Sequence, residues 1–225
     1  MISSPHPAPP EVDWHGIDTV LLDMDGTLLD LHFDNYFWLT HLPKRYAEQR
    51  AVDPAQAWEQ IRSLIQGHQG TLNWYCLDFW SRTLELDMVE LKREVAHLIA
   101  WRPETPEFLN WLGTQGKRRV LVTNAHRDSL VLKVAHTGLD AYLDVLFSAH
   151  DFDRPKEDRA LWEALQQAEP FDPARTLLID DNESVLASAA QFGIQHLLTI
   201  HQPDSRQPGR GPLQFPTINR FSDLH

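Results

Sequence analysis

The run Thr19-Val20-Leu21-Leu22 passes without a spacer into Asp23-Met24-Asp25-Gly26-Thr27, a junction that few folds accommodate. A stretch so short and so apolar predicts a strand of a parallel sheet covered on both faces. The two acids stand at i and i+2, so an extended backbone points both carboxylates to one side and Met24 to the other. Open parallel sheets collect ligands at the carboxyl ends of their strands, and Gly26 permits the tight turn that would deliver Asp25 and Thr27 to such a ligand. One carboxylate can then attack an electrophile while the other moves a proton. A solvated strand-to-loop turn uses the same Asp and Gly residues, so the rest of the chain must decide.

Beyond residue 102 the pattern alternates. Helices are expected over 106–112, 129–136, 157–168 and 184–192, and strands over 119–123, 145–148, 176–179 and 196–200, with Gly138 and Gly193 closing two of the helices. This β-α-β rhythm predicts an α/β fold with a doubly wound parallel sheet. Residues 201–216, rich in Pro, Gly and Gln, predict an irregular loop before a short element at 218–224. Residues 31–102 have a helical period, many aromatics and few strand-like runs, and predict an inserted helical domain. Within it, Asp53-Pro54 predicts an N-cap and first helical residue. Pro43 predicts a break in the first inserted helix, and further helices are expected over 72–84 and 87–100. The expected organisation is a mobile tail at 1–16, a catalytic core from 17–30 and 103–225, and the insertion at 31–102.

Charge and cysteine content narrow the partners. Twenty basic against 32 acidic residues give a formal charge of -12, which repels a polyanion and makes nucleic acid a poor partner. A small phosphate ester is admissible if a metal ion or local cations offset the acids. No segment approaches the apolar length that spans a bilayer, and the start lacks the basic and apolar regions of a secretory signal. The single cysteine, Cys76, excludes an intramolecular disulfide and predicts a reducing, cytoplasmic setting in which it packs among aromatics. The histidines other than His126 show no spacing typical of a metal site.

Three later strand ends carry polar groups suited to phosphate chemistry. Leu121-Val122-Thr123-Asn124 offers a hydroxyl, an amide and backbone N–H groups, Pro155-Lys156 offers an ammonium, and Leu177-Leu178-Ile179-Asp180-Asp181 repeats the opening pattern with acids suited to Mg2+. In this order the four motifs resemble the haloacid dehalogenase superfamily of phosphohydrolases over nearly the whole chain. The resemblance implies that Asp23 is the nucleophile forming an aspartyl-phosphate, and that Asp25 protonates the leaving oxygen and then activates water. It implies that Thr123, Asn124 and Lys156 bind the phosphoryl group. Mg2+ would be held by Asp23, the carbonyl of Asp25, Asp181, and Asp180 directly or through water. Two departures stand out: Lys156 is followed by Glu157-Asp158, and Val185 occupies the place of a further acid, for which Glu183 is a possible substitute.

By the same resemblance the insertion is the helical cap that selects the leaving group. Segments 28–38, 71–80 and 123–126 resemble the bacterial GMP/IMP nucleotidase branch, which implies a purine 5'-mononucleotide substrate. Trp and Tyr can stack a purine and Asn can pair with its edge, so Asn73, Trp74 and His126 are the candidate substrate contacts, with Trp58, Trp80 and Trp101 expected in the core. A sugar-phosphate or phosphoglycolate phosphatase, a phosphomutase and a non-catalytic phosphate-binding protein are the alternatives.

Overall fold

In the computed structural model, which describes residues 10–224, six strands form a single parallel sheet. They are β1 (Thr19–Leu22), β2 (Arg118–Thr123), β3 (Val145–Ser148), β4 (Thr176–Ile179), β5 (His196–Ile200) and β6 (Thr217–Ile218), in the order β3-β2-β1-β4-β5-β6. The chain builds outward from β1 to β3 and then crosses back to lay β4 on the other side of β1. The reversal lies at the β1/β4 boundary, where Leu22 pairs with Ile179. Asp23 and Asp180 therefore leave adjacent strands side by side at the switch point, where such sheets bind ligands.

The insertion is helical. It begins with α1 (His32–Tyr36), passes through a π-helical turn at Phe37–His41 and continues as α2 (Leu42–Arg50). The break expected at Pro43 is absent. Proline lacks an N–H, and its ring collides with the carbonyl four residues back in a regular helix. Here the preceding turn is widened, with Leu42 N donating to Phe37 O, so the proline enters at the start of α2 without stopping the helix. Next come α3 (Pro54–His68), α4 (Leu72–Tyr75), α5 (Leu77–Leu84) and α6 (Met88–Glu94). Asp53 caps α3 as expected, accepting from Ala55 N and Gln56 N. The single helix expected over 72–84 is two, because Cys76 adopts extended backbone and its Sγ accepts from Phe79 N to cap α5. The helix expected over 87–100 ends at Glu94 and is followed by a 3-10 turn at Ala96–Leu98.

The two connections to the core run together: Asp30 N donates to Ala100 O, Arg102 N to Leu28 O, and Leu29 bridges Trp101 in antiparallel fashion. The remaining helices are α7 (Thr105–Thr114), α8 (Arg127–Thr137), α9 (Arg159–Ala168) and α10 (Glu183–Phe192). Strand alternation divides the core. Val20, Leu22, Leu121, Leu177 and Ile179 pack with apolar residues of α7 and α8, while Leu21, Val120, Val122 and Leu178 pack with those of α9 and α10. All four residues of β1 and of β4 are buried, which is why those runs are apolar at every position after the opening threonine. The tail expectation extends too far. Residues 1–9 lie outside the described residues, but Trp14 packs edge-on to Trp111, and its Nε1 donates to Leu224 O at 2.7 Å.

Candidate active site

Asp23 follows β1 directly, and its backbone N donates to Ile179 O. The side chain is buried. Its Oδ1 accepts from Lys156 Nζ, whereas Oδ2 is buried with no hydrogen-bond partner. Such an orphaned oxygen is costly unless something is meant to meet it. Lys156 is also buried and spends its other N–H groups on Asp180 Oδ2 at 2.7 Å and Val122 O at 3.0 Å. Burial pushes the Asp23 carboxyl up to about 6; Lys156 opposes the shift and Asp180 adds to it. Burial would lower the Lys156 ammonium, but Asp180 and Asp23 outweigh it and hold the group charged.

Asp23, Asp180 and Asp181 each place a carboxylate oxygen within 4.8 Å of the others. Burial first, then Asp23 and Asp180, drive the Asp181 carboxyl well above its usual range. Gly26, at φ +86°, admits this approach: a Cβ there would stand 2.8 Å from Asp181 Cγ. Three mutually repelling carboxylates with an unsatisfied oxygen among them form a hard, all-oxygen donor set that fits Mg2+. Glu183, the possible outer acid, instead accepts from Gln214 N in the C-terminal loop.

Asp25 lies two residues beyond Asp23 and bridges Leu29. Its Oδ1 accepts from Lys133 Nζ at 2.5 Å, and the same ammonium donates to Asp34 Oδ2 at 2.6 Å. Asp34 in turn accepts from Lys92 Nζ at 2.7 Å, and Lys92 lies over the rings of Phe33 and Phe37. A buried row of alternating charges thus runs from the core acid through α8 to the cap. Burial raises the Asp25 carboxyl to about 6, with Lys133 opposing and Asp34 and Asp23 adding. Asp34 feels the same burial, but its two lysines outweigh it and hold the group at about 2.

Thr123 closes β2, and its Oγ1 accepts from Ala125 N at 3.0 Å, which leaves the hydroxyl proton free to donate. Asn124 is occupied with structure: Oδ1 accepts from Lys156 N at 2.8 Å, and Nδ2 donates to Glu157 Oε2 at 2.9 Å. The departure at Glu157 thereby acquires a role. Its carboxylate also accepts from Tyr75 OH at 2.7 Å and Asn182 Nδ2 at 3.3 Å, joining the cap to three core loops. Burial, then the Glu157 charge, keep the Tyr75 hydroxyl protonated.

Asp23, Asp25, Thr123, Asn124, Lys156, Asp180, Asp181, Trp74 and His126 all line one cavity of about 480 Å3 between core and cap. Leu31, Trp38, Leu39 and Ile65 add an apolar wall, and the π turn carries two of them. Asn73 does not belong: it is exposed and lines no part of this cavity, because successive helical residues diverge by about 100°. Trp80 is core as expected, Trp101 packs edge-on to Tyr142, and Trp58 is exposed beneath Arg62. Sequence reading missed Lys133, Asp34, Lys92, Tyr75 and Glu157. No local signal marks them, because Lys133, Asp34 and Lys92 lie on helices and Glu157 in a turn, where charge is ordinary.

A profile of haloacid dehalogenase-like hydrolases matches residues 17–193. The chain belongs to that family. It is an enzyme, a phosphatase of the haloacid dehalogenase type. Among haloacid dehalogenase-like relatives, the GMP/IMP nucleotidase YrfG of Escherichia coli (strain K12) is 46% identical over 213 residues, covering 95% of this chain and 96% of its own. The protein of that name from Shigella flexneri matches equally. A haloacid dehalogenase-type phosphatase from Thermococcus onnurineus superposes with a TM-score of 0.77 at 22% identity, covering 92% of this chain and 95% of its own, and shares the fold. Among the described residues, no helix is long and apolar enough to cross a membrane.

Proposed function

We propose that the enzyme hydrolyses purine 5'-mononucleotides of the GMP and IMP type, with Mg2+ as cofactor. The observation that carries the chemistry is Asp23, buried, with one oxygen held by Lys156 and the other unsatisfied, in a cavity walled by Trp38 and Trp74. The 46% identity to a GMP/IMP nucleotidase over nearly the whole chain supports the substrate, and the cavity has the volume usual for a small-molecule site.

An Asp23 carboxylate oxygen attacks phosphorus, the bond from phosphorus to the 5' oxygen breaks, and Asp25 gives that oxygen its proton. Asp25 then takes a proton from water, whose oxygen attacks phosphorus, and the bond to Asp23 breaks to release phosphate. Burial, with Lys133 opposing and Asp34 and Asp23 adding, holds Asp25 near 6, suited to a group that must both give and take a proton. Thr123 donates its hydroxyl to a phosphoryl oxygen, and Lys156 offsets the negative charge that would otherwise repel a dianion from Asp23. Asp23, Asp180, Asp181 and the Asp25 carbonyl would hold Mg2+, which supplies electrostatic stabilisation of the transferring group. Trp38 and Trp74 stack the base. The single cysteine favours work in the reducing cytoplasm.

A phosphate-release screen over nucleotides and sugar phosphates with Mg2+ tests this reading. GMP or IMP should exceed every sugar phosphate in kcat/KM by about tenfold or more, the order expected from base stacking. A preferred sugar phosphate, or an isomerised product with little free phosphate, would refute the substrate assignment.

A further inference from the structure

A second cluster of ligating side chains lies outside the phosphoryl-transfer machinery, and one of its members, His126, lines the same cavity. Cys76 comes from the junction of α4 and α5 in the cap, His126 from the loop that caps α8, and His150 from the turn after β3. One ligand atom from each lies within 4.8 Å of the others. In a tetrahedral zinc centre, bond lengths of about 2.0–2.3 Å put neighbouring ligand atoms roughly 3.3–3.8 Å apart, so the three need close by only about an ångström. The imidazoles meet at a centroid distance of 4.9 Å.

Each member is poised for coordination. His150 Nε2 is buried with no hydrogen-bond partner, a lone pair or N–H without an acceptor or donor. Burial, then the neighbouring His126, pull the His150 ring down to about 4, so it is neutral at physiological pH. Cys76 Sγ already accepts from Phe79 N at 3.4 Å, the kind of backbone donor that supports a thiolate. The hydrogen bond from Asp128 N to His126 Nδ1 is long, at 3.4 Å, and commits the ring weakly. The surroundings are acidic: Asp78 and Asp128 stand 3.8 and 3.5 Å from the His126 nitrogens, and Asp151 and Asp153 act on His150. Asp78, His126 and Asp128 form a separate group within the same mutual reach, which makes the His126 side of the cluster anionic.

We propose that Cys76, His126 and His150 form a second cation site, taking a borderline-soft divalent ion of the Zn2+ class and bridging cap to core. Sulfur and imidazole select such an ion over Mg2+, which demands oxygen. Binding releases the Cys76 thiol proton to solvent as the S–metal bond forms. Because one ligand belongs to the cap and two to the core, occupancy pins the two together beside the cavity that His126 lines and slows exchange of substrate and product. The site does not depend on which phosphate ester is hydrolysed.

Co2+ titration of the full chain in saturating Mg2+ tests the proposal. The expected result is one equivalent bound with thiolate-to-cobalt charge-transfer absorption, displaced by Zn2+. Cys76→Ser should abolish that absorption. His150→Gln should weaken Zn2+ binding by about 10- to 100-fold, and Zn2+ should protect Cys76 of the wild type from alkylation. Zn2+ should also slow turnover at fixed Mg2+ in the wild type and not in Cys76→Ser. No charge-transfer absorption from the wild-type protein, or unchanged Zn2+ affinity in His150→Gln, would overturn it, and the first of these needs no variant to fold.

Discussion

Replacing Lys133 with Met removes the cation bonded to the Asp25 side chain while roughly preserving the volume of the lysine stem. The ammonium is buried between Asp25 and Asp34. Taking one partner out of a buried ion pair costs about 3–5 kcal/mol, which for a chain of this size lowers Tm by roughly 6–20 °C. The loss should depend on pH. Asp25 in the folded enzyme titrates near 6 and the unfolded group near 3.8. Its contribution to stability is therefore fully present below about 4 and is lost as pH rises through about 6. Without Lys133 its carboxyl rises further, since burial and the charges of Asp34 and Asp23 are no longer opposed, and the window moves upward. Thermal melts of metal-free protein should accordingly show a larger deficit at pH 8 than at pH 5. Adding Asp34→Asn to Lys133→Met should cost less than Asp34→Asn alone, by about 1–3 kcal/mol of coupling. Turnover should fall on the order of a hundredfold as Asp25 loses its orientation. A Tm within about 2 °C of the wild type, unchanged between the two pH values, would refute the electrostatic reading of this network.

Asp23→Asn should abolish phosphate release with the fold intact by circular dichroism, while Asp25→Asn should accumulate aspartyl-phosphate and turn over slowly; near-normal steady-state hydrolysis by the Asp23 variant would sink the mechanism. The carboxyls of Asp23, Asp180 and Asp181 are all raised, first by burial and then by a neighbouring carboxylate: Asp180 for Asp23, Glu157 for Asp180, and Asp23 and Asp180 for Asp181, so Mg2+ must displace protons to bind. The rise in Tm on adding Mg2+ should be larger at pH 7.5 than at pH 5, and equal rises would contradict the assignment. Trp74→Ala should lower kcat/KM for GMP or IMP by about tenfold or more and leave a small aryl phosphate almost unaffected. Equal losses on both substrates, with a lower Tm, would mark Trp74 as cap core.

The order of apolar runs and the acids at their ends were enough to derive the doubly wound sheet, because a strand buried on both faces must be apolar throughout and its ligand groups can only follow its carboxyl end. Asp23, Thr123 and Asp180 were legible for that reason: each ends or directly follows a strand, and parallel pairing brings strand ends together, whereas Lys156 stands eight residues past β3 in the crossing to the next helix. Helical insertions have no such rule. Nothing local predicts that the π turn before Pro43 carries the chain on, that Cys76 splits one helix into two, or that Asn73 turns away from the cavity while Trp74 faces it. The charge row Asp25–Lys133–Asp34–Lys92 and the hub at Glu157 were invisible for a related reason. Their members lie far apart in sequence, on helix faces and loops where a charged residue ordinarily meets solvent. Only the docking of cap on core removes the water, and it is the loss of water that converts three ordinary surface charges, Lys133, Asp34 and Lys92, into a paired, buried set acting on Asp25.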